Sequence, residues 1–159
     1  MINIQHFREY VIRPTLNHLG LYSENAEELL LATAIQESRL TYLKQLGNGP
    51  AVSVYQVEPA THADIWDNYL RYHPELNAKL QALKSDAYRL KGVQEMTHNL
   101  AYATAIARIH YLRVPHPLPD KNSVEEMARY WKIYYNTVKG RGTEQEFIDA
   151  YQKHVARDR

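Results

Sequence analysis

A chain of 159 residues, 45% hydrophobic and 23% charged, is long enough to close one core and too apolar to stay disordered. Its formal charge of +1 gives no general pull toward nucleic acid or a membrane surface, and the absence of cysteine excludes a disulfide framework and thiol chemistry. No stretch reaches the roughly 20 apolar residues of a membrane span. The opening Met1-Ile2-Asn3-Ile4-Gln5-His6-Phe7-Arg8 lacks a basic region followed by an apolar run, so no export signal is expected.

Ile4, Phe7, Val11, Ile12 and Leu16 recur at helical spacing, and Gly20 stops that helix. Pro14 either kinks it or starts a second short one. The next helix is predicted from Asn25 to Arg39, with Asn25 as N-cap and Glu28 completing a capping box. Ala26, Leu30, Thr33, Ala34 and Glu37 share one face, and Leu29, Leu31, Ala32 and Ile35 make the rest apolar. This is a central, mostly buried helix with a carboxylate in its last turn.

Residues 40–57 read as a loop, with β-type residues at Thr41-Tyr42-Leu43 and Val52-Ser53-Val54-Tyr55 around a small hairpin at Gly47-Asn48-Gly49. Glu58-Pro59 opens a helix bearing Ile65, Trp66, Tyr69 and Leu70, and Pro74 opens another bearing Leu76, Leu80 and Leu83. One alanine-rich helix is expected over 93–113, with Leu100, Ala103, Ile106, Ala107 and His110 in a stripe. Val114-Pro115-His116-Pro117-Leu118-Pro119 is an extended linker. Ser123 and Glu126 box the start of a helix whose inward face is Val124, Met127, Ala128, Trp131, Tyr135 and Val138. Thr143 and Glu146 box the last helix, with Phe147, Ile148, Tyr151 and Val155 inward. The expectation is one mainly α domain over residues 1–159, with a short irregular or β-hairpin loop after the central helix.

A buried glutamate is costly unless it is paired or protonated. Glu37 is therefore either a structural ion-pair partner, a side chain turned to solvent, or an acid with a raised pKa. The residues downstream of it bear on the choice. Glu37-Ser38, a glycine-bearing loop, Pro50-Ala51-Val52-Ser53-Val54-Tyr55-Gln56 and a later Tyr135-Asn136 come in that order. Together they resemble the lysozyme-like lytic transglycosylase family, the soluble lytic transglycosylase and goose-type lysozyme group. Its pattern is Glu-Ser, then Gly-Ala-x-Gly-Leu-Met-Gln, then Tyr-Asn. Ala51 and Gln56 match; Pro50 and Ser53 replace the two glycines, and Val54-Tyr55 replaces Leu-Met. The likeness spans residues 25 to 140 and is nearest to small virion-associated proteins of tailed phages.

The resemblance implies a compact lysozyme-like fold, Glu37 as the catalytic acid, and Ser38, Tyr55, Gln56, Tyr135 and Asn136 around the substrate. It implies no cofactor, and peptidoglycan glycan strands as the partner, cut between N-acetylmuramic acid and N-acetylglucosamine. In this family one acid/base residue suffices, because the substrate's own 6-hydroxyl attacks; Glu58 and Asp64 are the candidate second acids if it does not. A chain without an export signal then reaches the wall on a virion or at lysis. The alternative is a non-enzymatic virion or assembly protein that keeps the fold and contacts other virion proteins through its faces. Pro50 and Ser53 favour that alternative by stiffening the loop. The 13 tyrosines suit a sugar-binding groove, a core or a protein interface alike. His62, His73, His98, His110 and His116 lack metal-binding spacing, so no metal is expected, though His62, after Thr61, is expected to border the groove. Lys44, Lys139 and Arg141 either meet an acidic polymer or are solvated.

Overall fold

The central helix is buried along nearly its whole length, and the other helices are arranged around it. The computed structural model describes residues 1–85, 92–137 and 139–156. The protein is mainly helical, and one continuous apolar core runs through the described residues from Ile4 to Val155. Among the described residues no helix is long and apolar enough to cross a membrane.

α1 (Ile4–Phe7) runs through a π-helical turn (Arg8–Ile12) into α2 (Arg13–Leu19). Pro14 sits in the first turn of α2, where its missing N–H costs nothing, and Gly20 ends the helix at a φ of 70°. α3 (Glu24–Ser38) begins one residue earlier than expected, because Ser23 is the N-cap: its Oγ accepts from the Ala26 N–H at 3.0 Å. Asn25 lies inside the helix and accepts instead from the Lys121 backbone N–H, so the box with Glu28 does not form. Leu29, Leu30, Leu31 and Ile35 are each at most 1% exposed, on all sides of the helix. Each such side chain contributes about 1.5–3 kcal/mol by leaving water.

The loop 40–57 has isolated bridges, Lys44 to Val52 and Val52 to Val57, and the described residues contain no strand. α4 (Pro59–Asn68) and α5 (Pro74–Leu83) each start at their proline. The predicted 93–113 helix is broken. α6 (Glu95–His98) stops at Asn99, which turns extended and caps α7 (Leu100–Leu112). Asn99 Oδ1 accepts from the Tyr102 N–H, while its Nδ2 donates to the Leu83 carbonyl, so one side chain joins the end of α5 to the start of α7. α7 packs on α2, α3, α4 and α5, and the Tyr111 hydroxyl meets Thr33 Oγ1 of α3 at 2.8 Å.

α8 (Val124–Trp131) passes into a second π-helical turn (Lys132–Asn136) rather than continuing as an α-helix. Ser123 caps α8, but Glu126 reaches the Asp120 N–H and does not return to Ser123. Val138, the last residue of the expected stripe, lies outside the described residues. α9 (Glu144–His154) is capped by Thr143 and packs against both α3 and α8.

The N-terminal end of α3 carries two buried carboxylates. Glu28 accepts from Arg8 Nη1 and the Tyr151 hydroxyl, each at 2.5 Å. Glu27 accepts from Arg8 Nη1 at 3.1 Å and from Arg13 Nε at 2.6 Å. Arg8, at 6% exposure, thus neutralises charge that α3 would otherwise bury alone. Arg8→Met keeps the length of the side chain and removes the charge. It is expected to cost about 3 kcal/mol, read as a lower urea midpoint; an unchanged midpoint would show that the two glutamates do not depend on Arg8.

Candidate functional site

Glu37 stands in the last turn of α3, and three features of the chain keep it there. Arg39 and Leu40 both take left-handed backbone, with φ of 52° and 53°, which ends the helix immediately after Ser38. Ser38 is fully buried; its Oγ donates to the Val54 carbonyl at 2.7 Å and accepts from the Leu40 N–H at 3.2 Å. Trp131, the last residue of α8, is also fully buried and donates its indole N–H to Glu37 Oε2 at 3.0 Å.

Glu37 lies on an open cleft of about 640 Å³ that is also lined by Gln56, Glu58, His110, Tyr135, Asn136 and Arg141. Protein surrounds the carboxyl group on most sides while the cleft keeps it partly accessible. Among the described residues no cation pairs with it. Burial therefore pushes its pKa up to about 7, and the Trp131 N–H, which favours the carboxylate, offsets only part of that rise. An indole N–H can only donate. Oε2 is thus the acceptor, which favours placing the proton of the neutral acid on Oε1.

The loop 40–57 and the turn after α8 supply the walls. The Tyr135 hydroxyl donates to the Tyr55 carbonyl at 2.6 Å, which ties the π-helical turn to the residue preceding Gln56. The Tyr135 ring stacks on Tyr111 at 5.1 Å and meets His110 at 4.7 Å. Its own pKa is raised, first by burial and next by the neighbouring Glu37 carboxylate. Lys132 Nζ donates to Asn136 Oδ1 at 2.7 Å and to the carbonyls of Gly140 and Gly142 at 2.9 and 2.6 Å. One ammonium thus holds the wall formed by Asn136, Gly140, Arg141 and Gly142. Gly142 has to be glycine in this packing, since a Cβ there would come within 2.6 Å of the Trp131 ring.

Backbone strain gathers around the same cleft. Ser53, Gln56 and Thr137 have φ of 77°, 51° and 73°, a region that non-glycine residues seldom occupy. Gln56 is steadied there by donating its Nε2–H to the Ser53 carbonyl at 2.8 Å.

Glu37, Gln56, Tyr135 and Asn136 therefore come together, and two other expected substrate residues do not join them. Ser38 and Tyr55 are both 0% exposed. Ser38 spends its hydroxyl on the chain behind the cleft, and the Tyr55 ring points into the core, its hydroxyl meeting Thr104 Oγ1 at 2.9 Å. Neither side chain has surface for a ligand. His62 is likewise turned inward, to the Tyr102 hydroxyl at 2.7 Å; its neighbour Thr61 lines the cleft instead. Asp64 is held away from the cleft by Arg113 and Asn68. Of the three basic candidates only Arg141 lines the cleft. Sequence reasoning missed Trp131 and His110 as parts of the site. A signal existed for the first: a tryptophan on a buried stripe needs an acceptor for its N–H.

No family model matches the chain, and neither a curated protein nor a solved structure matches it.

The raised pKa has a measurable sign. The folded protein holds the Glu37 proton more tightly than the unfolded chain does. That contribution to stability is fully present below about pH 4.5 and is lost as the pH rises through about 7. Glutamine keeps an acceptor for Trp131 and cannot ionise. Glu37→Gln is expected to be more stable than wild type by about 2 kcal/mol at about pH 8, with the gain shrinking to nothing near about pH 4.5. Urea midpoints at both pH values check this; a variant no more stable than wild type at the higher pH would mean that Glu37 is not a desolvated acid.

Proposed function

We propose that the cleft binds a peptidoglycan glycan strand and that Glu37 cleaves it between N-acetylmuramic acid and N-acetylglucosamine, acting first as acid and then as base. One observation carries this reading: a carboxylic acid, still protonated near neutrality, lies on an open cleft with no cation among the described residues to neutralise it. Glycosidic cleavage needs such a proton at the bridging oxygen. Glu37 Oε1–H protonates that oxygen as the C1–O bond breaks. The resulting carboxylate then takes the proton of the sugar's own 6-hydroxyl as that oxygen bonds to C1, which regenerates the acid and leaves a 1,6-anhydro end.

The order of Glu37-Ser38, Ala51, Gln56 and Tyr135-Asn136 supports the lytic transglycosylase class. So does position 53. The family pattern has glycine there, and Ser53 keeps a glycine-like φ of 77° while its Oγ accepts from the Tyr55 N–H. The serine thus fits the backbone shape that a glycine would allow, and its side chain is buried behind the loop rather than narrowing the cleft. Glu58 is the further carboxylate on the cleft, exposed at the cap of α4. Delivery to the wall on a virion or at lysis, as in the small phage proteins the motifs resemble, belongs to the same reading.

Zymography on purified cell wall tests it. Wild type is expected to clear the substrate and Glu37→Gln to lose at least about a hundredfold in rate, the usual scale for removing a general acid. No clearing by well-folded wild type would instead favour an assembly protein that retains the cleft. Mass spectrometry of the digest tests the chemistry: 1,6-anhydro products are expected from wild type and from Glu58→Gln alike. Products with only water added, lost in Glu58→Gln, would make Glu58 the base of a hydrolase.

A further inference from the structure

His110 ends the buried stripe of α7 and opens onto the cleft, where nothing in the acid–base steps of Glu37 uses it. Its ring is fixed on two sides. One face meets Tyr135 at 4.7 Å, and Nδ1 lies 3.1 Å from Arg113 Nη2. Arg113 is in turn held by Asp64, Nη1 to Oδ2, at 2.5 Å. A guanidinium can only donate, so Nδ1 must accept, and the ring proton of the neutral imidazole is on Nε2. The one side-chain hydrogen bond of His110 among the described residues is that of Nδ1, and the residue lines the cleft. Burial first, and the Arg113 charge second, lower the pKa of His110 to about 4, so the ring is uncharged at neutral pH. The Asp64 carboxylate balances the charge of Arg113. The result is a neutral, rigidly aimed donor.

We infer that His110 is a ligand-binding residue of the cleft, whose Nε2–H, set by the Arg113–Asp64 pair, donates to an uncharged oxygen of the bound strand. On an N-acetylated sugar the strongest such acceptor is the acetamido carbonyl. A neutral imidazole suits it, whereas an anionic ligand would call for a cation. This inference rests on the glycan reading of the cleft and adds a contact that the resemblance to known enzymes does not supply.

The test uses the full chain carrying Glu37→Gln, so that bound sugar is not cut, and a tetrasaccharide of alternating N-acetylglucosamine and N-acetylmuramic acid. Adding His110→Phe keeps a ring against Tyr135 and removes the donor; Kd is expected to rise about tenfold, the scale of one hydrogen bond. Adding His110→Gln, which restores an N–H near the Nε2 position, is expected to stay within about twofold of the parent. If His110→Phe binds as well as the parent, the inference is overturned while the glycan reading stands. If the parent itself does not bind, the glycan reading falls, and this inference with it. Imidazole nitrogen shifts by NMR at neutral pH decide the remaining point without any ligand: a neutral ring protonated on Nε2 is expected, and a ring protonated on Nδ1 or on both nitrogens overturns the proposed donor.

Discussion

A helix packed on every side can carry a carboxylate only if that group is neutralised, and α3 carries carboxylates at both ends. Its two ends solve the problem in opposite ways. At the start, Glu27 and Glu28 are charged and are matched by Arg8, Arg13 and the Tyr151 hydroxyl. At the finish, Glu37 has no cation among the described residues and accepts from the Trp131 N–H, so it is neutralised by holding its proton. Burial that would be an ordinary structural cost at one end becomes a source of acidity at the other. The rest of the fold serves that asymmetry: α9 and α8 cover α3 on one side, and α7 covers it on another.

The cleft is assembled from segments far apart in the chain by a few hydrogen bonds. Tyr135 to the Tyr55 carbonyl joins residues 80 apart, and Trp131 to Glu37 joins residues 94 apart. Lys132 gathers the turn after α8 into one wall. Each of these donors is also structural, so the boundary between holding the fold and shaping the site runs through single side chains. Trp131 illustrates this: its ring packs on Phe147 in the core while its one polar atom favours Oε1 of Glu37 as the carrier of the proton.

Much of this was legible in the sequence, and the parts that were not share a cause. The apolar run of α3, the prolines opening α4 and α5, the Pro-rich linker and the Ser123 and Thr143 caps are local patterns, and they are where the sequence places them. Glu37 stood out because a carboxylate on an apolar stripe is locally inconsistent. The start of α3 was misjudged because Ser23 and Asn25 are both good caps, and the choice was settled by Asn25 pairing with Lys121 in a distant loop. Asn99 breaks a periodic run for a similar reason, since it also serves the Leu83 carbonyl. Ser38 and Tyr55 sit in motif positions, yet a motif does not say which way a side chain points. His110 looked like one more residue of a stripe because the partner that fixes its proton, Arg113, lies just beyond the stripe's end.

The π-helical turn at Lys132–Asn136 holds one residue more than an α-helical turn of the same span would need. Rewinding the same five residues as α-helix, with none removed, would let α8 run on regularly. It would also swing everything beyond the turn by about 100° around the helix axis. Tyr135 and Asn136 would then leave the cleft although the helix itself had become more regular. In this stretch, a more ideal backbone and a working cleft are incompatible, and the surplus residue is the mark of that conflict.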